Sequence, residues 1–149
     1  MATKTSVPVT LELSRVFAAP RNRVFAAWTD SEAIKQWFGP PSCKVTEADF
    51  TPRVGGQYHI KIDNVEMGEI ELTGTFREVV APEKLVFTWQ WLTSPLKEAG
   101  ETLVTVQFID RGRSTEIRLT HEGFPEAEVR DDHHEGWSGS LDKLGKYLG

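Results

Sequence analysis

Three ionisable side chains cluster late in the chain: Arg130, His133 and His134. An imidazole can give or take a proton near neutral pH, and a guanidinium can hold a carboxylate or an oxyanion. On a helix turning 100° per residue, Arg130 falls about 20–30° from the direction of Trp137. His133 and His134 flank that direction at about 40° and 60°. If the chain is an enzyme, His134 is the expected general acid or base and Arg130 the group that holds developing negative charge. The plainer alternative has Arg130 snorkelling to solvent or pairing with Glu126, and both histidines on the surface. His121 reads as a hydrogen-bonded core residue.

Other chemistry-bearing residues give weaker signals. Cys43 is the single cysteine and follows Pro40-Pro41-Ser42, which favours an incidental thiol over a nucleophile. Adjacent histidines on a helix point apart, so no metal site is expected. Glu69 and Glu71 share one strand face, assigned here to solvent. Neither a glycine-rich phosphate loop nor a G-x-S-x-G elbow occurs, and no cofactor is expected.

These residues need elements to position them. Residues 9–17 alternate apolar and polar as a half-buried strand, with Arg15 interrupting the apolar row. Either a bulge or an arginine reaching past the sheet edge would accommodate it. Pro20 starts a short helix that buries Val24, Phe25, Ala27 and Trp28. Thr29 or Asp30 caps a second, with Ile34, Trp37 and Phe38 inward, and Gly39-Pro40-Pro41 ends it. Strands then follow one another to residue 121. The first, about 44–50, has no clear facing. The inward rows of the next are Tyr58, Ile60 and Ile62; Ile70, Leu72, Gly74 and Phe76; Leu85, Phe87, Trp89 and Trp91; Val104, Val106 and Phe108; and Ile117, Leu119 and His121. Short turns between them imply an antiparallel meander with one covered face. The cover is a helix expected from about 125 to 148, starting at Pro125, with Trp137, Leu141, Leu144 and Leu148 as its stripe.

The expected architecture is therefore α+β: six or seven curved antiparallel strands wrapped on a long C-terminal helix, with two short helices after the first strand. One domain should take up all 149 residues, a length that supports one sizeable core. A net charge of −5 without a cationic stripe argues against nucleic acid. No apolar run approaches the roughly 20 residues of a membrane span. Met1 to Thr10 lacks a signal pattern, and a lone cysteine suits a reducing compartment, so a cytoplasmic location is expected.

The inward face of the last helix is apolar in its C-terminal half and polar in its N-terminal half. A solid core would leave those polar groups unsatisfied, at about 1–3 kcal/mol each, so that end should border a mouth or a wet cavity. The expected ligand-contacting residues are Tyr58, Ile60, Leu72, Phe76, Trp89, Val106 and Phe108 from the sheet, with Arg130, His134, Trp137 and Leu141 from the helix. Aromatic rows of this kind also simply fill cores.

The runs Arg15-Val-Phe-Ala-Ala-Pro-Arg21, Val24-Phe-Ala-Ala-Trp-Thr-Asp30 and Trp37-Phe-Gly-Pro40 resemble the opening of proteins of the SRPBCC superfamily. The similarity is to the branch related to the activator of the Hsp90 ATPase. Gly55-Gly-Gln-Tyr58, Leu85-Val-Phe-Thr-Trp89, Thr120-His-Glu-Gly-Phe124 and His134-Glu-Gly-Trp137 continue it in order. The resemblance implies the helix-grip fold of START and Bet v 1 domains, with lipids, polyketides or other apolar molecules held in a cavity. The first expectation is therefore a binding module for a small apolar or amphipathic molecule. The alternatives are a cyclase or hydrolase using the same cavity, and a domain that contacts an Hsp90-type chaperone. The eukaryotic activators carry an additional N-terminal domain. This chain reaches its first strand almost at once, an expectation against co-chaperone activity. Homodimerisation through sheet edges or the Thr93–Gly100 loop stays open.

Overall fold

The alternation read from the sequence folds into one seven-stranded antiparallel sheet. The computed structural model describes residues 9–93 and 95–149. Its elements are β1 (Val9–Phe17), α1 (Arg21–Thr29), α2 (Ser31–Trp37), β2 (Cys43–Phe50), β3 (Gln57–Asn64), β4 (Gly68–Val80), β5 (Lys84–Trp91), β6 (Thr102–Asp110), β7 (Thr115–Phe124) and α3 (Ala127–Leu148). The strand order is β1-β7-β6-β5-β4-β3-β2. Strands β2 to β7 therefore form a plain meander, and β1 closes the far edge by pairing with β7, while α1 and α2 carry the chain across. This is the helix-grip fold.

Period-two burial fixes which face is covered. Tyr58, Ile60 and Ile62 on β3, Leu72 and Phe76 on β4, Leu85 on β5, Val106 and Phe108 on β6, and Leu119 on β7 are all buried. They meet Trp137, Leu141, Leu144 and Leu148 of α3 in one continuous cluster. Each large side chain so placed contributes about 1.5–3 kcal/mol of hydrophobic free energy. The unclear facing of β2 has a local cause: the register slips between Val45 and Glu47. Val45, Ala48 and Phe50 can then all turn toward the core, which strict alternation forbids.

Arg15 sits on a regular stretch of β1, without a bulge. Its guanidinium reaches α3 and donates to Asp142 at 2.7 Å. Asp30, rather than Thr29, caps α2 by accepting from the Glu32 amide. Helix α3 starts at Ala127, two residues after Pro125. Pairing with β1 runs through Phe124, so Pro125 and Glu126 are used to turn from strand to helix. A short 3-10 turn, Leu96–Ala99, lies in the β5–β6 connection.

Two close approaches set the shape of the interior. Tyr58 lays its ring across Gly74 and donates its hydroxyl to the Thr88 carbonyl at 2.6 Å. A Cβ on Gly74 would meet that carbonyl at 1.9 Å and the tyrosine ring at 2.4 Å, so only glycine fits. On α3, Gly139 lets the helix press on Pro40, whose Cβ would lie 2.9 Å from an added methyl. Next to it the buried Ser140 hydroxyl accepts from the Gly39 amide at 2.9 Å. These contacts bind the end of α2 to the middle of α3 and fix one side of the site.

Candidate functional site

Two spaces adjoin the Trp89 ring. The first, between sheet and helices, is almost full: a void of about 20 Å³ remains among Trp28, Ile34, Phe38, Tyr58, Phe76 and their neighbours. Stacking explains why it is closed. Trp28 packs face to face with Trp137 at 5.8 Å, and Phe50, Tyr58, Phe76 and Phe87 form a chain of ring contacts between 5.2 and 6.1 Å. The second space is an open cleft of about 470 Å³. That is ample for a small organic molecule, and the first space is about the size of one water.

Six segments build the cleft. Phe38 to Pro40 come from the end of α2, Ser42 and Cys43 from the start of β2, and Ile62 to Ile70 from the β3–β4 hairpin. Trp89 and Trp91 come from the end of β5, and Asp132, His133, Glu135, Gly136, Trp137 and Ser140 from α3. Leu96 of the 3-10 turn completes the wall.

A hydrogen-bonded chain orders the indoles. Trp137 Nε1 donates to Nδ1 of the fully buried His121 at 3.1 Å. His121 Nε2 lies 2.7 Å from the Thr102 hydroxyl, which donates to the Trp89 carbonyl at 3.3 Å. An indole nitrogen can only donate, so His121 is neutral with its proton on Nε2. The same logic fixes His133: Trp91 Nε1 donates to its Nε2 at 3.0 Å, and its Nδ1 donates to the Val129 carbonyl at 2.9 Å. Burial, and then the nearby His133, holds His121 well below the ordinary imidazole range. Burial also lowers His133, partly opposed by its bond to Val129 and by the charge of Asp132. Trp89 is different: its buried Nε1–H has no acceptor among the described residues.

The expected contact residues separate into four groups. Trp89 and Trp137 line the cleft, while Tyr58, Ile60, Phe76 and again Trp89 surround the small void. Leu72, Val106, Phe108 and Leu141 are packed in the core. Arg130 turns aside to donate to Asp131 at 2.7 Å and to the Thr10 carbonyl at 3.1 Å. His134 is exposed, and the imidazole that faces inward is His133. The helical angles carried that signal, since His133 lies nearer the Trp137 direction than His134 does. Phe38 is read as inward from the sequence, but Met67 and Leu96 carry no signal, because a turn has no periodic face. Among the described residues no group of His, Cys, Asp and Glu could hold a metal ion, and no helix is long and apolar enough to cross a membrane.

Comparison with known proteins agrees with this fold. The chain is similar to the AHSA1 protein from Silicibacter pomeroyi, with 28% identity, a TM-score of 0.83, and 94% and 97% of the two chains covered. A protein from Chromobacterium violaceum is similar at 27% identity and a TM-score of 0.82, covering 93% and 96%. A human protein, "Activator of 90 kDa heat shock protein ATPase homolog 1", is 24% identical over 127 residues. That stretch is 85% of this chain and 33% of the human protein, so the chain spans about a third of the curated relative's length. Residues 18–149 match the family described as activator of Hsp90 ATPase homolog 1-like protein. Since that match takes in every element after β1, the chain belongs to this family, a branch of the SRPBCC superfamily.

Proposed function

We propose that this protein binds a small apolar or amphipathic molecule in the cleft between the N-terminal half of α3 and the β3–β4 hairpin. The observation that carries the reading is the 470 Å³ cleft with Phe38, Ile62, Ile70, Trp89, Trp91 and Trp137 on its walls. Ligand sites are typically concave, mostly apolar, and provided with a few oriented polar groups. The filled interior offers no comparable room, so the binding place moves from beneath the sheet to the open end of α3. Trp89 and Trp137 remain contact residues in this reading. Tyr58, Ile60, Leu72, Phe76, Val106, Phe108 and Leu141 support them from behind. A cyclase or hydrolase would use the same cleft, and its imidazole would be His133, both of whose nitrogens are hydrogen-bonded.

A blocking substitution tests the reading. Gly136 lines the cleft, and an added Cβ would meet nothing within 4 Å. Gly136→Leu therefore places a side chain in open space without disturbing the core. Binding of an apolar fluorescent dye should be lost in this variant while its melting temperature is not lowered. Equal dye binding by both proteins would refute the assignment of the site.

The likeness to the human activator supports a second reading, contact with an Hsp90-type chaperone. Val65, Met67 and Leu92 are exposed apolar residues that such a contact could cover. A pull-down with purified Hsp90 that retains nothing would remove this reading.

A further inference from the structure

The polar groups of the cleft are not equally available. Ser140 both accepts from Gly39 and donates to the Gly136 carbonyl. Asn64 donates to Cys43 Sγ and accepts from the amides of Glu66 and Met67. His133, Trp91 and Trp137 have spent their ring nitrogens on one another and on His121 and Val129. What remains is Glu66 from the β3–β4 turn, Asp132 and Glu135 from α3, and the Ser42 hydroxyl just before β2.

None of those three carboxylates meets a lysine, arginine or histidine in a salt bridge among the described residues, whose ion pairs all lie elsewhere. Among the described residues no lysine or arginine lines the cleft. Arg130, the expected partner for an anionic ligand, is occupied by Asp131 and Thr10. Lys143 is near Cys43, a residue of the cleft wall, and lies about 16 Å along α3 from Asp132. The same cleft is lined by Trp89, Trp91 and Trp137, and a tryptophan ring face attracts cations more strongly than that of any other aromatic side chain.

We propose that the molecule taken up here is a cation: a protonated amine carried on an apolar, preferably aromatic, body. This rests on the reading of the cleft as a ligand site. The body lies against Trp89, Trp91 and Trp137, and the ammonium group faces Glu66, Asp132 and Glu135. The chain's net charge of −5 draws the same class of molecule toward the surface.

Three naphthalene compounds of one shape test this: 2-(1-naphthyl)ethylamine, 2-(1-naphthyl)ethanol and 1-naphthylacetate. Each is titrated into the ¹⁵N-labelled chain at pH 7.5, and the indole N–H resonances of its five tryptophans are followed. The amine should bind roughly three- to tenfold more tightly than the alcohol, with the acid weakest, and added salt should narrow the gap. The variant Glu66→Gln/Asp132→Asn/Glu135→Gln, changed only at exposed positions, should bring the amine to the alcohol's affinity and leave the alcohol unchanged. An acid that binds as tightly as the amine, or an amine preference that survives the triple substitution, would overturn the cation assignment while leaving the cleft as a binding site. Silence of the indole resonances toward all three compounds would overturn both.

Discussion

His121 is bracketed by groups that can act only one way. Trp137 must donate to it, and Thr102 must accept from it because its own hydroxyl proton goes to Trp89. His121→Leu would leave the Trp137 N–H buried without an acceptor. The expected loss is about 1–3 kcal/mol of stability, read as a lower urea midpoint. Protonation has a related effect. A proton added at His121 Nδ1 or His133 Nε2 would face an indole N–H, so the folded protein resists it, and both imidazoles are depressed. The unfolded chain takes up these protons near the ordinary imidazole value of about 6.5. Their contribution is therefore full above that pH and is lost as pH falls below it. Stability should decline between pH 7 and pH 5, by up to about 1.4 kcal/mol per pH unit for each histidine. Urea midpoints that stay level across that window would contradict the assignment of two neutral imidazoles. The sequence identified His121 as a hydrogen-bonded core residue, and so it is. It was less informative for the adjacent His133 and His134, since both angles lie near the edge of the buried stripe and only packing with Trp91 separates them.

Helix α3 carries glycines for opposite reasons. Gly136 borders open space, so Gly136→Ala should gain the usual helix preference, about 0.5–1 kcal/mol. Gly139 touches Pro40, and an added Cβ would also lie 3.1 Å from the Pro40 Cα and 3.2 Å from Pro41 Cδ. Two prolines cannot yield easily, so Gly139→Ala should cost about 1–3 kcal/mol despite the same propensity gain. Chemical denaturation of the two variants in parallel should show midpoints moving in opposite directions. In the sequence alone Gly136, Gly139 and Gly145 are equivalent, each weakening a helix by about 0.5–1 kcal/mol relative to alanine. Tertiary contact distinguishes them, and contact across 99 residues is not a local signal. Strands were far more legible. Rows such as Ile70, Leu72 and Phe76 obey a period of two wherever one face is covered, and short turns dictate their pairing. Strand β2 lost its facing at the bulge after Val45, which a two-residue period cannot represent.

Across the molecule, the core and the cleft divide the aromatics between them. Rings beneath the sheet interlock until about 20 Å³ is left, while Trp89, Trp91 and Trp137 at the end of α3 remain beside about 470 Å³. Sequence periodicity assigned both groups to the same inward face, correctly, but it has no measure of how completely rings fill a volume. It also could not assemble a wall from six separate segments. The same topology moves Arg130 away and leaves carboxylates at the mouth, which reverses the expected charge of the polar end. The most direct measurement is the set of nuclear Overhauser contacts between 2-(1-naphthyl)ethanol and the protein in solution. The neutral compound makes this independent of the charge assignment. Contacts from the naphthyl protons to the indoles of Trp91 and Trp137 and to the methyl of Met67 are predicted. Contacts confined to Tyr58, Phe76 and Phe108, or to none of these residues, would contradict a ligand site at the open end of α3.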